Sequence, residues 1–472
     1  MKRIAIVLTM LIAACTSPYY PGIDKPNIGG GNTQKDRDII AYIDERLANE
    51  YYWLDEVEAK SDSFNRNVEW KKYLEESLSR LTTNADDGYV SGNGQRVYYS
   101  YIREVSSSLT RAEVKGFGID MHTTIVFYDQ QNNYYAFIIE SIVPNSPAAE
   151  ADIRRGDIII KVNDSYITPN SYVSLFNKVQ VNGNLSEVEL LIYRRMGDSG
   201  EAETLNVELT AAQFSECSVA HSEIIEGSKR VGYLVYTGFD THSDEVLLAA
   251  LSEFDEADVN EVIIDLRTNG GGAVNSAVKL ASALLPATFE GKVLCEARRN
   301  PKNVKGVASE EFLLAASDVH LDLDHLTVIT SNHSASASEL IIMGLRGLDI
   351  PVTVVGSTTN GKNCGMDVTR RTISSTYLEY APITFMCLNA KGEGDWGDGI
   401  KPDVDVVALD ETYPLPFVPW GSRYDVALMA ALESVGCTVG GPTRAMASES
   451  FEAAATIAEP IVGMRLYHEC EQ

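Results

Sequence analysis

The chain has 472 residues, enough for about three domains, and its 44% hydrophobic and 22% charged content excludes wholesale disorder and fibrous repeats. Lys and Arg number 39 against 67 Asp and Glu, a formal net charge of −28. That field repels nucleic acid and anionic lipid, and no basic stripe tracks phosphate, so no nucleic-acid partner is expected.

Lys2 and Arg3 precede an apolar run, Ile4 to Leu11, that ends in Ile12-Ala13-Ala14-Cys15. This reads as a secretory signal over residues 1–14, too short for a lasting transmembrane helix. The small residues before Cys15 resemble a bacterial lipobox, which implies lipidation at Cys15 and a lipid-anchored protein of the bacterial cell envelope. A plain signal peptide ending near a cysteine is the alternative. Residues 15–35, rich in Pro, Gly and polar residues, form a flexible tether. The six later cysteines show no Cys-x-x-Cys pair and no metal-ligand spacing with the seven histidines, so no metal is expected. An oxidising compartment permits a Cys437–Cys470 staple; buried free thiols are the commoner arrangement.

From Asp36 to Leu81 the apolar residues recur at helical steps: Ile39, Ile40, Ile43, Leu47 and Trp53, then Trp70, Tyr73, Leu74, Leu78 and Leu81. Residues 36–110 are assigned to an N-terminal helical domain, its aromatic stripe to core. Over 111–209 the alternation becomes strand-like, as at Tyr135–Glu140 and Val188–Tyr193. Between them, Ile142-Val143-Pro144 leads to a short helix opening at Ser146-Pro147, and Gly156-Asp157 turns into Ile158–Val162. This stretch closely resembles a PDZ domain. Such domains add an extended peptide to a sheet edge and hold its carboxylate on backbone N–H groups. Gly116, Phe117, Gly118 and Ile119 stand where that loop belongs, with Lys115 or Arg111 available to add charge. A simple tight turn with no ligand is the alternative.

Residues 210–435 alternate buried strands with helical stretches, an α/β pattern. The strands are read at Val231–Tyr236, Glu261–Leu266, Leu326–Thr330 and Pro351–Val355; residues 436–472 form an uninformative tail. Three elements of this region carry chemistry. Ser334-Ala335-Ser336-Ala337-Ser338-Glu339 lies between a strand end and an apolar helix, where a hydroxyl is well placed as a nucleophile beside free helix N–H groups. Ser336-x-x-Glu339 is equally the pattern of a capping box. Gly361-Lys362 follows a buried strand, and a lysine acts as general base only when desolvation keeps it neutral. Asp265-Leu266-Arg267-Thr268-Asn269-Gly270-Gly271-Gly272 allows backbone amides to converge on an anion, and it lacks the Gly-Lys-Ser/Thr ending of a phosphate loop.

Together with Phe117-Gly118-Ile119 and Gly399-Ile400-x-Pro402-Asp403, these motifs resemble the carboxyl-terminal processing peptidases, or tail-specific proteases, over residues 36–435. The resemblance implies an α/β multidomain fold with an N-terminal helical domain, a β-rich PDZ-like domain and a ClpP/crotonase-like α/β peptidase core. It implies a serine endopeptidase without cofactor, acting on polypeptides with exposed C-termini. Carried over, Ser336 is the nucleophile, Lys362 the general base, and the N–H groups of Gly271 and Ala337 the oxyanion hole. His333, three residues before Ser336, is the weaker candidate base. The family's glutamine four positions after the lysine is Met366 here, and the Ser336–Lys362 interval is one residue longer than usual, which puts the orientation of Lys362 in question. The competing function is a PDZ-containing envelope scaffold that binds peptides without cutting them.

Overall fold

The computed structural model describes residues 33–440, apart from 91–93, 106–112, 122–125, 130–131, 133, 181–184, 197–200, 260, 305 and 407–417. The signal segment, Cys15, most of the tether, Arg111 and Cys470 lie outside the described residues. Cys437 is buried, its thiol facing the Lys229 carbonyl at 3.5 Å.

A six-stranded sheet organises the C-terminal half, in the order Val219–Glu226, Arg230–Tyr236, Glu261–Asp265, Leu326–Thr330, Val352–Gly356, Val404–Asp405. The first pair is antiparallel and the rest are parallel. Successive side chains point to opposite faces, so an unbroken apolar run serves two cores at once. Leu234, Ile264, Val328 and Val354 pack with helices Asp244–Glu256, Val274–Leu284 and Ala337–Gly347. Tyr233, Ile263, Ile329 and Val355 pack against helix Val426–Ser434 on the other face. The strands read from sequence all form, Glu261–Leu266 ending at Asp265 and Pro351–Val355 shifting to Val352–Gly356.

The PDZ-like region is a sheet ordered Glu201–Thr210, Glu187–Met196, Ile158–Val162, Tyr134–Ile142, Ile119–Met121. Its short helix, Pro147–Glu150, is capped by the Ser146 hydroxyl. Antiparallel strands Glu113–Gly116 and Ala212–Ser215 pair where the chain enters and leaves it.

Helices Gln34–Glu50, Leu54–Lys60 and Trp70–Leu78 open the described chain, followed by short strands at Tyr89–Val90, Arg96–Val97 and Tyr101–Glu104. Tyr101–Glu104 joins a sheet with the hairpin Thr369–Ile373/Thr376–Ala381. The helical stripe Ile39, Ile43, Leu47, Tyr73 and Leu78 shares one apolar cluster with Cys364, Leu378, Tyr380 and Ile383. The N-terminal segment therefore docks on the strands that follow Lys362.

Candidate active site

The serine corner is built by hydroxyls that differ in what they touch. Ser334 donates to the Leu266 carbonyl at 2.7 Å and Ser338 to the Asn269 carbonyl at 2.9 Å, both wholly buried. Ser331 donates to the Arg267 carbonyl at 2.5 Å. These bonds pin residues 331–338 to the loop after the Glu261–Asp265 strand. Ser336, between them, is half-buried and sits at φ 57°, ψ −113°, a left-handed backbone costly for a non-glycine residue. Its position as N-cap of helix Ala337–Gly347 leaves the Ala337 N–H at the first turn, where it has no acceptor among the described residues. His333 is exposed.

Gly271 lies directly against this corner. A Cβ there would stand 2.7 Å from Ser336 Cβ and 2.8 Å from the Ala335 carbonyl oxygen, and its φ of +105° also favours glycine. The loop thus reaches Ser336 because it lacks a side chain. Both expected oxyanion residues are brought to Ser336, but their amides differ. The Gly271 N–H donates to Asn269 Oδ1 at 2.8 Å, while Ala337 is unengaged; the Gly272 N–H also has no acceptor among the described residues.

The lysine loop is tied to the serine corner through Glu339. This buried carboxylate accepts Ser336 N at 2.9 Å, Lys362 N at 2.8 Å, and Gly361 N and the Thr359 hydroxyl at 2.6 Å each. Burial pushes its carboxyl above the usual range, against the pull of those donors. The capping box seen in the sequence is therefore only one part of its role. Asn360 N adds a bond to the Ser334 carbonyl at 2.9 Å. Ile400 N donates to the Thr359 hydroxyl at 2.7 Å, and Val354 N to Asp403 at 2.8 Å, which explains the Gly399-Ile400-x-Pro402-Asp403 motif as a brace for this loop.

Lys362 is 5% exposed, and its amine makes no hydrogen bond among the described residues. Desolvation lowers its pKa from the ordinary lysine value, opposed by Cys364, Asp87, Glu339 and Cys387. The ring of Tyr99 faces the amine, 5.0 Å from centroid to Nζ. Met366 is half-buried against the N-terminal apolar cluster.

Further along the same loop, Arg267 pairs with Asp265 at 2.7 Å and Asp425 at 3.0 Å. Trp420 lies beside Arg267 and against Arg155, at 5.5 and 3.8 Å from ring centroid to guanidinium. Arg155 belongs to the turn before Gly156-Asp157 and donates to the Val418 carbonyl at 2.7 Å. The β-rich region is thereby linked, through Trp420, to the loop that carries Gly271.

In the Gly116–Ile119 loop, Phe117 and Ile119 are core residues. The Phe117 carbonyl accepts Ala148 N and the Gly118 carbonyl accepts Val143 N, each at 2.9 Å. The Phe117 and Gly118 N–H groups have no acceptor among the described residues. Lys115 is exposed.

Residues 230–406 match peptidase family S41, and residues 138–194 match a PDZ domain. The fold thus combines a PDZ domain with an S41 peptidase core. A probable CtpA-like serine protease of Staphylococcus aureus (strain bovine RF122 / ET3-1) is 25% identical over 336 residues, covering 71% of this chain and 62% of that protein. A protein of the same description from Staphylococcus epidermidis is 24% identical over 342 residues, with the same two coverages. The chain thus spans less than two thirds of these relatives. A solved structure from Bacteroides fragilis NCTC 9343, assigned to the S41 proteases, superposes with a TM-score of 0.66 at 24% identity, covering 84% of this chain and 97% of that one. That likeness concerns the fold. Ser336, Gly271 and Lys362 all lie within the S41 match; Phe117 and Gly118 precede the PDZ match, and Tyr99 lies outside both.

Sequence reading missed Glu339 as a link between the two loops, and it missed Tyr99, Asp87 and Asp425 entirely. Glu339 carried a signal in its spacing from Ser336. The others are joined to the site only by long-range packing.

Proposed function

We propose that the protein is a serine endopeptidase in which Ser336 attacks a peptide carbonyl and the neutral amine of Lys362 accepts its proton. The observation that carries this reading is the Glu339 carboxylate, which fixes the strained Ser336 corner and the Lys362 backbone to one another. A buried amine without a hydrogen-bond partner is the form of lysine that can act as a base. Attack gives an acyl-enzyme and releases the C-terminal fragment; water then hydrolyses the ester. The developing oxyanion would meet the Ala337 N–H and a second amide of the glycine loop. Gly271 would serve once its N–H leaves Asn269, and Gly272 is already unengaged. Catalytic hydrogen bonds commonly tighten only with substrate present, so Lys362 need not touch the Ser336 hydroxyl in the free enzyme.

The PDZ loop supports recognition of polypeptide C-termini, because the free amides of Phe117 and Gly118 suit a carboxylate. The expected setting is the bacterial envelope, with a lipid on Cys15 as anchor. To test the reaction, the protein would be incubated with casein and the products mapped by mass spectrometry beside Ser336→Ala. Internal cuts in the wild type that vanish in Ser336→Ala are expected. Equal cutting by both proteins would refute the assignment; tail-peptide binding without any cutting would establish the scaffold instead.

A further inference from the structure

The Lys362 side chain must be held by something, since a flexible four-carbon stem without a hydrogen bond has no fixed direction. Asp87 faces it from the N-terminal segment, Glu339 from the Ala337–Gly347 helix, and Cys364 and Cys387 from neighbouring strands. None of these bonds the amine. Burial pushes the Asp87 carboxyl and both thiols upward, and the Asp87 oxygens are taken by Ser100 N and the Tyr51 hydroxyl. Four residues on, Met366 offers only a weak thioether acceptor and packs with the N-terminal cluster.

The remaining contact is with Tyr99. Its ring is 4% exposed, and its hydroxyl donates to Asn360 Oδ1 at 2.5 Å, on the same loop as Lys362. The next residue is also fastened: Ser100 N donates to Asp87 at 2.8 Å, and the Ser100 hydroxyl accepts Ile383 N at 2.9 Å. Tyr51 closes the arrangement through its hydroxyl on Asp87 at 2.7 Å. The ring is therefore locked along the chain and at its tip, and its face is turned to Nζ within the range of a cation–π contact.

We propose that Tyr99 is the positioning residue of Lys362: its ring face fixes where the amine stands and supports the lysine when it carries the proton. The assignment rests on the peptidase reading above and extends it, because it makes the N-terminal segment part of the catalytic apparatus. In the cycle, the amine takes the Ser336 proton, rests as ammonium against the ring, and returns that proton to the leaving amine. Tyr99 makes and breaks no bond.

The test compares Tyr99→Leu and Tyr99→Phe with wild type, reading casein cleavage against pH. Tyr99→Leu should lower kcat roughly tenfold or more with KM within about twofold of wild type. Its acid limb should move down by about one pH unit, because the protonated lysine loses its aromatic partner. Tyr99→Phe keeps the ring and should keep the limb in place. An unmoved or upward-moving limb in Tyr99→Leu, or an equal shift in Tyr99→Phe, would overturn the proposal. The same variants are then labelled with acetic anhydride across pH, and Lys362 modification is read by mass spectrometry, which needs no turnover. Absence of Ser336-dependent cleavage in wild type would remove the peptidase reading alone; identical Lys362 labelling midpoints in wild type and Tyr99→Leu would remove the role of Tyr99 alone.

Discussion

At the Ser336 corner, the free amide of Ala337 sits on backbone pinned by side chains: three serine hydroxyls bonded to the Leu266–Asn269 segment, and the Glu339 carboxylate, whose four donors come from Ser336 and the Thr359–Lys362 loop. In the Gly116–Ile119 loop, the free amides of Phe117 and Gly118 are held by backbone carbonyl bonds and two core side chains. Both loops leave donors unpaired, an arrangement suited to an anion. The first adds a strained hydroxyl and a desolvated amine, which suits chemistry on a developing charge; the second adds neither, which suits binding of a resident one. The difference lies in what surrounds the amides.

Substitutions at one glycine in each loop sharpen the contrast. Gly271→Ala is expected to lower kcat/KM by at least about a hundredfold, because the new Cβ drives into Ser336 Cβ and the Ala335 carbonyl. Cleavage assays on the folded variant would show it, and near-normal rates would mean that the glycine loop does not touch the reacting centre. Gly118→Ala forces a Cβ to 2.1 Å from Ser146 Cβ at a φ of +78°. It should abolish binding of tail peptides measured by calorimetry, yet leave Ser336 reactive toward a small serine-directed probe. Loss of both would show that the two loops are not separable.

The smallest effect concerns stability. The folded pKa of Lys362 lies below its ordinary value, so the charged form is penalised in the folded state. That penalty is complete at pH below the depressed value and vanishes as pH rises to about 10.5. Lys362→Met should therefore be inactive yet more stable than wild type near neutrality, by about 1 kcal/mol or more, with the gap closing toward alkaline pH. Thermal melts across pH would measure it; a Lys362→Met protein less stable than wild type near neutrality would mean that the amine is charged and paired.

Much of this was legible locally. The turn Ser334–Glu339, the Asp265–Gly272 loop and Gly361-Lys362 each follow a strand whose apolar run is plain in the sequence, and family resemblance joined them. The serine motif did not show which hydroxyl is left over; that appears only once Ser334 and Ser338 find carbonyls in the Leu266–Asn269 segment. Tyr99 was beyond reach because its bond to Asn360 spans 261 residues and depends on the N-terminal helices docking against the Cys364–Ile383 strands. The aromatic stripe of residues 36–81 was correctly read as core, but the other side of that core lies far along the chain.

The most direct test is a fluorophosphonate probe, which labels only an activated serine, applied to wild type and Lys362→Met with the adduct located by mass spectrometry. The account predicts a single adduct on Ser336 in wild type and at least about a hundredfold slower labelling in Lys362→Met. Labelling of a different serine, or equal rates in the two proteins, would contradict it.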